Sequence, residues 1–164
     1  MTTKQEREVI EEKSKKIIEL AAGGDTDAAQ YLYMLARITR VLDDVFDNDQ
    51  VITREEHLDV LEYLFVRLPT NPFFIRHQDV LLSQHLSMFN AWMAANVAEK
   101  GDETDQIYAH VWRDTIHEVI PIVALLTQGY NAMPPISLEV RKLFKNNLEN
   151  KLCHLVEEED KKMR

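Results

Sequence analysis

Hydrophobic residues recur at helical spacing along most of the chain. Residues 4–22 predict a first helix with a sparse apolar stripe, and a Gly-Gly pair ends it. Asp25 or Thr26 can cap the next helix, which extends to about Asp47. Its apolar residues recur every three or four positions and predict its buried face: Tyr31, Met34, Leu35, Ile38, Val41, Leu42 and Val45.

Capping signals mark the starts of the third and fourth helices. Thr53 and Glu56 form a capping-box pair before the apolar segment LDVLEYLFVRL, and this third helix is predicted to stop before Pro69. Asn71 and the proline after it place a capping residue and an N1 proline before a long fourth helix. That helix is predicted to run to about Glu99.

Prolines shape the last third of the chain. A fifth helix is predicted over residues 104–128, with a kink at Pro121 and an end at Gly129. The segment YNAMPPI is predicted to be a loop, because two consecutive prolines should not continue a helix. Ser137 then caps a sixth helix that reaches the charged C-terminal residues.

The pattern contains no strand-like alternation of useful length, no sustained heptad repeat and no interdomain linker. We therefore predict an all-α fold in which residues 1–164 form a single-domain bundle of about six helices. Hydrophobic residues make up 45% of the chain, which is enough for a sizeable core.

The charge balance narrows the classes of partner. The chain has 28 acidic and 19 basic residues and a formal net charge of −9. Direct binding of nucleic acid needs a basic face, and an anionic membrane surface also attracts basic segments, so both are disfavoured. The acidic balance favours cations or a basic protein surface.

Cysteine content and the terminal sequence predict a cytoplasmic protein. The single cysteine, Cys153, permits no intramolecular disulfide and fits a reducing compartment. The N-terminal residues are charged and lack an apolar signal core, and no stretch has the length and composition of a transmembrane helix.

The most suggestive local pattern is an acidic cluster at the end of the second helix. Asp43, Asp44 and Asp47 occupy positions i, i+1 and i+4, which puts three carboxylates within about 100° of arc. A helix C-terminus carries partial negative charge, so solvent or a nearby positive charge must offset these carboxylates. A solvated helix end beside Arg37 and Arg40 is the plain interpretation, and a bound Mg²⁺ ion is the functional one.

The D-D-x-x-D spacing resembles, over these five residues, the first aspartate-rich motif of the isoprenoid synthases, which are all-helical enzymes. The resemblance implies that Asp43, Asp44 and Asp47 would hold Mg²⁺ against a diphosphate. No second metal motif of that family is found, and the chain is much shorter than those enzymes. A calcium loop of the EF-hand type fails, because Gln50 stands where the glycine is required.

Histidines at two places in the chain are candidates for a functional role. His110, Asp114 and His117 share one face of the fifth helix, either as transition-metal ligands or, more plainly, as its solvated side. The opposite face is then a core stripe of Tyr108, Trp112, Val119 and Val123.

His85 lies on the most apolar side of the fourth helix. That side also carries Leu81, Leu82, Phe89 and Trp92. Gln78 and Asn96 fall on it too, and such polar groups must find partners if they are buried. His85 is interpreted as a hydrogen-bonded core histidine, or else as the polar lining of an interior pocket. It is the one candidate for a general acid or base, because no nucleophile triad and no phosphate-binding glycine loop occur.

These features predict a small binding or regulatory protein, rather than an enzyme, that docks a basic protein surface as an inhibitor or nucleic-acid mimic would. No cofactor is expected in that case. The predicted docking patch is acidic and comprises Asp43, Asp44, Asp47, Asp49, Glu55 and Glu56.

Two alternatives stay open. The first is a Mg²⁺-dependent enzyme that acts on a diphosphate or nucleotide through Asp43, Asp44 and Asp47, with Arg37 or Arg40 near the phosphate. The second is a structural subunit of a homo-oligomer that associates through aromatic residues of its helices: Tyr63, Phe65, Phe73, Phe74 and Trp92.

Overall fold

The computed structural model describes the backbone of residues 4–47 and 51–143, and the side chains of residues 12–46 and 51–143. Within these ranges the chain is helical almost throughout and contains no strand, which confirms the predicted all-α fold. The α-helices are α1 (Lys4–Ala22), α2 (Thr26–Asp47), α3 (Arg54–Glu62), α4 (Leu68–Thr70), α5 (Pro72–Arg76), α6 (Gln78–Ala98), α7 (Glu103–Arg113), α8 (Val119–Gln128) and α9 (133–143).

Three of the predicted capping signals act as expected. The Asp25 carboxylate accepts hydrogen bonds from the N–H groups of Asp27 and Ala28, so Asp25 caps α2. Thr53 and Glu56 form both hydrogen bonds of a capping box at α3. Asn71 is buried, and its side chain caps α5 while donating to the Asp27 carbonyl at 3.0 Å, which fixes α5 against α2.

The core lies where α1, α2, α5, α6 and α8 meet. Its largest fully buried side chains are Tyr31, Phe73, Leu81 and Val123. The predicted buried face of α2 is confirmed as far as Val41. Leu42 and Val45 are exposed instead, because the last turn of α2 extends beyond the main core.

Two predicted helix boundaries in the middle of the chain are wrong. The third helix does not stop before Pro69. It passes through a π-helical turn (Tyr63–Arg67) into α4, and the Leu68 N–H reaches the Tyr63 carbonyl five residues back, so the wide turn accommodates the proline ring. The predicted fourth helix is divided at His77, whose backbone leaves helical geometry between α5 and α6.

Prolines in the last third also act differently from the prediction. The fifth helix is interrupted by a 3₁₀ turn (Asp114–Glu118) just before Pro121, where the proline ring would crowd the carbonyl four residues back. The predicted loop YNAMPPI is a 3₁₀ turn (Tyr130–Ala132) that leads directly into α9. Both prolines fall in the first turn of α9, where no N–H partner is needed, so Ser137 lies inside this helix and does not cap it.

Candidate functional site

Asp43, the first residue of the acidic cluster, is bound by side chains from two other helices. Arg113 of α7 donates from Nη1 to Asp43 Oδ1 at 3.1 Å, and Trp92 Nε1 of α6 donates to the same oxygen at 3.4 Å. The Asp43 side chain is still 51% exposed. Arg113, a residue 70 positions away in the sequence, therefore supplies the positive charge expected beside the Asp43 carboxylate at this helix end.

Arg113 connects three helices. Its Nη2 donates to Asn96 Oδ1 at 2.8 Å and to Glu99 Oε2 at 2.7 Å, while Nη1 holds Asp43. The Arg113 side chain is only 19% exposed. We call Asp43, Trp92, Asn96, Glu99 and Arg113 the Arg113 cluster. In the sequence, Asn96 indicated that such a contact must exist, because an amide on the apolar side of α6 requires a polar partner.

The Arg113 cluster also shows how α7 is rotated. Ala109, which is fully buried, and the half-buried His110 and Arg113 mark its inward face. Tyr108 is 54% exposed and Trp112 is 39% exposed, so the prediction that both belong to a core stripe is wrong. Val119 and Val123 of α8 are buried as predicted. The 3₁₀ turn between the two helices breaks the continuous helical register that the prediction assumed.

His110, Asp114 and His117 do not form a purely solvated face, since both histidines are half-buried. His117 Nδ1 lies 3.4 Å from Asp114 Oδ1, and this interaction with His117 lowers the pKa of the Asp114 carboxyl. Among the side chains that the structure describes, no three His, Cys, Asp or Glu residues are grouped to hold a metal ion.

The other acidic-patch residues have separate surroundings. Glu56 accepts hydrogen bonds from Thr53 and from Arg37 Nη2 at 3.0 Å; the Thr53 backbone N–H is the main cause that lowers the pKa of Glu56. Glu55 is exposed and Asp44 is half-buried. The Asp47 side chain and the whole of Asp49 lie outside the described residues, as does Cys153. Asp43 and Glu56 are thus each held by a different arginine.

His85 is hydrogen-bonded inside an aromatic environment. Its Nε2 lies 2.7 Å from the hydroxyl oxygen of Tyr31, and its ring stacks at 5.9 Å on both Tyr31 and Phe74. Burial lowers the pKa of His85, which favours the neutral ring. Trp92 of the Arg113 cluster is two turns farther along α6, about 10 Å away along the axis. These surroundings match the interpretation as a core histidine.

The outward side of α6 carries a row of large apolar side chains. Leu82, Leu86, Phe89, Met93 and Val97 are between 46% and 73% exposed, and we call them the α6 outer stripe. The prediction placed Leu82 and Phe89 on the buried side and is wrong for both. Because α6 is apolar over most of its circumference, the periodicity of its sequence could not distinguish the inward face.

The aromatic residues predicted for oligomerisation differ widely in exposure. Phe73 and Phe74 are buried in the core, and Tyr63 and Trp92 are half-buried. Phe65, which lies on the π-helical turn, is 76% exposed. Most of this set therefore serves the interior of the molecule.

No protein-family model, no curated protein and no solved structure matches this chain. Among the described helices, none has the length and apolar composition needed to span a membrane.

Proposed function

We propose that this chain is a non-enzymatic binding protein that docks a basic amphipathic helix of a partner protein on the α6 outer stripe. The observation that carries the proposal is the row of exposed side chains at positions 82, 86, 89, 93 and 97. Their spacing of four, three, four and four residues keeps them on one side of a 21-residue helix about 30 Å long. A partner helix can follow such a row with its own apolar face.

The size of the exposed apolar surface supports a docking role. At the roughly 200 Å² that a large side chain presents when fully open, the α6 outer stripe exposes on the order of 500 Å². A patch of this size is at the upper end of what monomeric proteins usually expose, and such patches are often functional. Removing it from water is the driving force that we assign to partner binding.

The charges around the stripe favour a basic partner. No Asp, Glu, Lys or Arg occurs from Val80 to Ala98. At the two ends of the helix, exposed acidic residues outnumber the exposed basic residues Arg76 and Lys100: Asp79, Glu99, Asp102, Glu103 and Asp105. A helix with an apolar face and lysine or arginine flanks would complement this arrangement, whereas a second copy of this chain would bring acidic ends together.

The Arg113 cluster supports the docking proposal more than the Mg²⁺-dependent alternative. Arg113 already provides the positive charge that Asp43 would otherwise obtain from a metal ion. The predicted acidic patch keeps a supporting role, because the net charge of −9 attracts a basic partner at long range.

The test uses a defined probe, an 18-residue fluorescein-labelled peptide of leucine and lysine with all leucines on one helical face. Fluorescence anisotropy with the full chain should show saturable binding. A shuffled peptide of the same composition and a leucine/glutamate peptide should bind at least tenfold more weakly, since binding requires both the apolar face and the positive flanks.

Matched variants then locate the binding face. The double variant L86S/F89S should weaken peptide binding at least tenfold, because it removes about 2 kcal/mol of apolar contact without changing the charge. The control variant S83A/S87A alters exposed residues of the same helix and should bind as the wild type does. Equal affinity of L86S/F89S and wild type would refute the proposal, as would sedimentation showing that the α6 outer stripe joins two copies of this chain.

A further inference from the structure

A second, separate feature is a groove of about 630 Å³ enclosed by α1, α2, α8, α9 and the 3₁₀ turn before α8. Its apolar floor and walls are formed by Ile18, Leu32, Leu35, Ile116, Ile120 and Val140. Ile18, Leu32 and Val140 are buried members of the main core, so the groove is part of the packed structure and not a gap between loops. Its volume lies within the range of ligand pockets.

The charges that line this groove have the opposite sign to the protein as a whole. Lys15 of α1 and Arg37 and Arg40 of α2 line it, and His117 lies on the opposite wall. No aspartate or glutamate is among the described residues that line it. In a chain of net charge −9, a groove with three cationic and no acidic lining residues is complementary to an anion.

We propose that this groove binds one long-chain carboxylate, with the hydrocarbon chain on the apolar floor and the carboxylate beside Lys15 and Arg40. Arg37 also lines the groove and donates to Glu56 at 3.0 Å, and the variants below leave that ion pair intact. Each additional CH₂ buried on the floor should tighten binding about fourfold until the groove is filled. This site is independent of docking at the α6 outer stripe, so either proposal can fail alone.

The chain's own next residues have no excess of acidic side chains to match the cationic rim. Leu143 lines the groove and is the last described residue. Between residues 144 and 156 the sequence contains two lysines and one glutamate, and the acidic run begins only at Glu157. This segment has no net negative charge, whereas a free carboxylate has one and would be attracted by the cationic rim. The segment's apolar residues suit the groove floor, so occupation by the C-terminal segment is an outcome that the experiment must distinguish.

The experiment measures binding of 11-(dansylamino)undecanoic acid to the full chain by fluorescence, followed by displacement with unlabelled competitors. We expect saturable binding of one probe per chain and displacement by palmitate. Hexadecanol, which has the same chain length without the charge, should compete at least tenfold more weakly. Absence of saturable binding would show that the groove is filled by the chain itself or does not bind this class, and would overturn the proposal.

Two pairs of variants assign the site. A36W places a large ring in the groove from an exposed position of α2 and should abolish probe binding, while S83W on the surface of α6 should not. K15Q/R40Q should weaken palmitate at least tenfold and leave hexadecanol unchanged, while K100Q/R54Q at exposed sites outside the groove should change neither. Because Lys15 and Arg40 are both exposed, K15Q/R40Q keeps the test decisive if A36W folds poorly. Equal palmitate affinity in K15Q/R40Q and wild type would overturn the proposal.

Co-sedimentation with phosphatidylcholine vesicles that contain oleate separates the two sources of a carboxylate. We expect the protein to remain in the supernatant and to take up oleate. Protein that pellets with the vesicles without taking up oleate would mean that it recognises a lipid surface, and would contradict the groove as a site for a single molecule.

Discussion

The Arg113 side chain, among the residues that the structure describes, holds three acceptors on two other helices. One largely buried guanidinium joins Asp43 of α2 to Asn96 of α6 and to Glu99 at the α6 end. Hydrogen bonds to charged groups contribute more than neutral ones, and an arginine can hold several acceptors in a fixed geometry. Arg113 thus fixes the position of α7 against two other helices.

We predict that Arg113→Gln lowers the free energy of unfolding by about 1–2 kcal/mol, because three acceptors lose a charged donor in a partly buried setting. Asp43→Asn should lower it by less than about 1 kcal/mol, since that carboxylate is half exposed. Urea denaturation of both variants measures the difference. A larger loss in Asp43→Asn than in Arg113→Gln would contradict the central role of the arginine.

His85 predicts a pH dependence of stability. Burial lowers the pKa of His85 in the folded state, so the unfolded chain takes up this proton first as the pH falls. Stability should therefore decrease as the pH falls through the unfolded histidine value near 6.5. The lowered pKa values of Glu56 and Asp114 act only in more acidic solution, near and below about pH 4.

The measurement is the free energy of unfolding at pH 7.5 and pH 5.5 for wild type and His85→Gln. The glutamine can still accept a hydrogen bond from Tyr31 but does not titrate. The loss of stability between the two pH values should be smaller in the variant. An unchanged loss would mean that protonation of other groups causes the pH dependence.

At the scale of elements, most capping signals and the buried face of α2 were predictable, whereas the inward faces of α6 and α7 were not. The Thr53–Glu56 capping box and the Asn71 cap depend on neighbouring residues, and both could be predicted from sequence. The inward face of α7 depends on Arg113 meeting Asp43 and Asn96, which belong to other helices. Asp43 and His85 could be predicted as candidates, but not their partners, because only tertiary packing brings those partners together.

The prolines show a second limit of sequence reasoning. Pro69 follows a π-helical turn, and the two prolines of α9 fall in its first turn, so none of the three ends a helix. A proline interrupts a helix only where the missing N–H or the ring has no accommodation, and that depends on the backbone several residues earlier. The sequence alone therefore does not show whether a given proline fits within a helix.

Gly129 offers a test at the element scale. Its φ of +89° and ψ of 176° turn the chain from α8 towards α9, in a backbone region that is essentially restricted to glycine. Since a Cβ there would contact nothing within 4 Å, the effect of Gly129→Ala should come from the backbone alone. We predict a loss of about 1–3 kcal/mol in stability.

Ser137→Ala is the matched comparison. Ser137 lies inside α9 and does not cap it, so its replacement should change stability by less than about 0.5 kcal/mol. Thermal or urea unfolding of the two variants provides the measurement. A capping-size loss in Ser137→Ala, near 1 kcal/mol, would restore the helix start that the sequence predicted.

For the whole molecule, the net charge and the α6 outer stripe have different roles in the proposed docking. The acidic side chains Asp43 and Glu56 are each held by an arginine, while the α6 outer stripe is apolar and free of charged residues between its acidic ends. We propose that long-range attraction by the net charge and short-range burial at the stripe act on the same partner, the first on encounter and the second on retention.

Methyl NMR of the full chain, titrated with the leucine/lysine peptide, shows which face of the protein the peptide contacts. Leu82, Leu86 and Met93 carry methyl groups on the α6 outer stripe, whereas Val45, Val51 and Leu58 carry them near the acidic residues of α2 and α3. If the peptide docks on the α6 outer stripe, the saturable chemical-shift changes should centre on Leu82, Leu86 and Met93. Shifts centred on Val45, Val51 and Leu58, with the α6 methyl groups unmoved, would contradict it and return the docking site to the acidic patch.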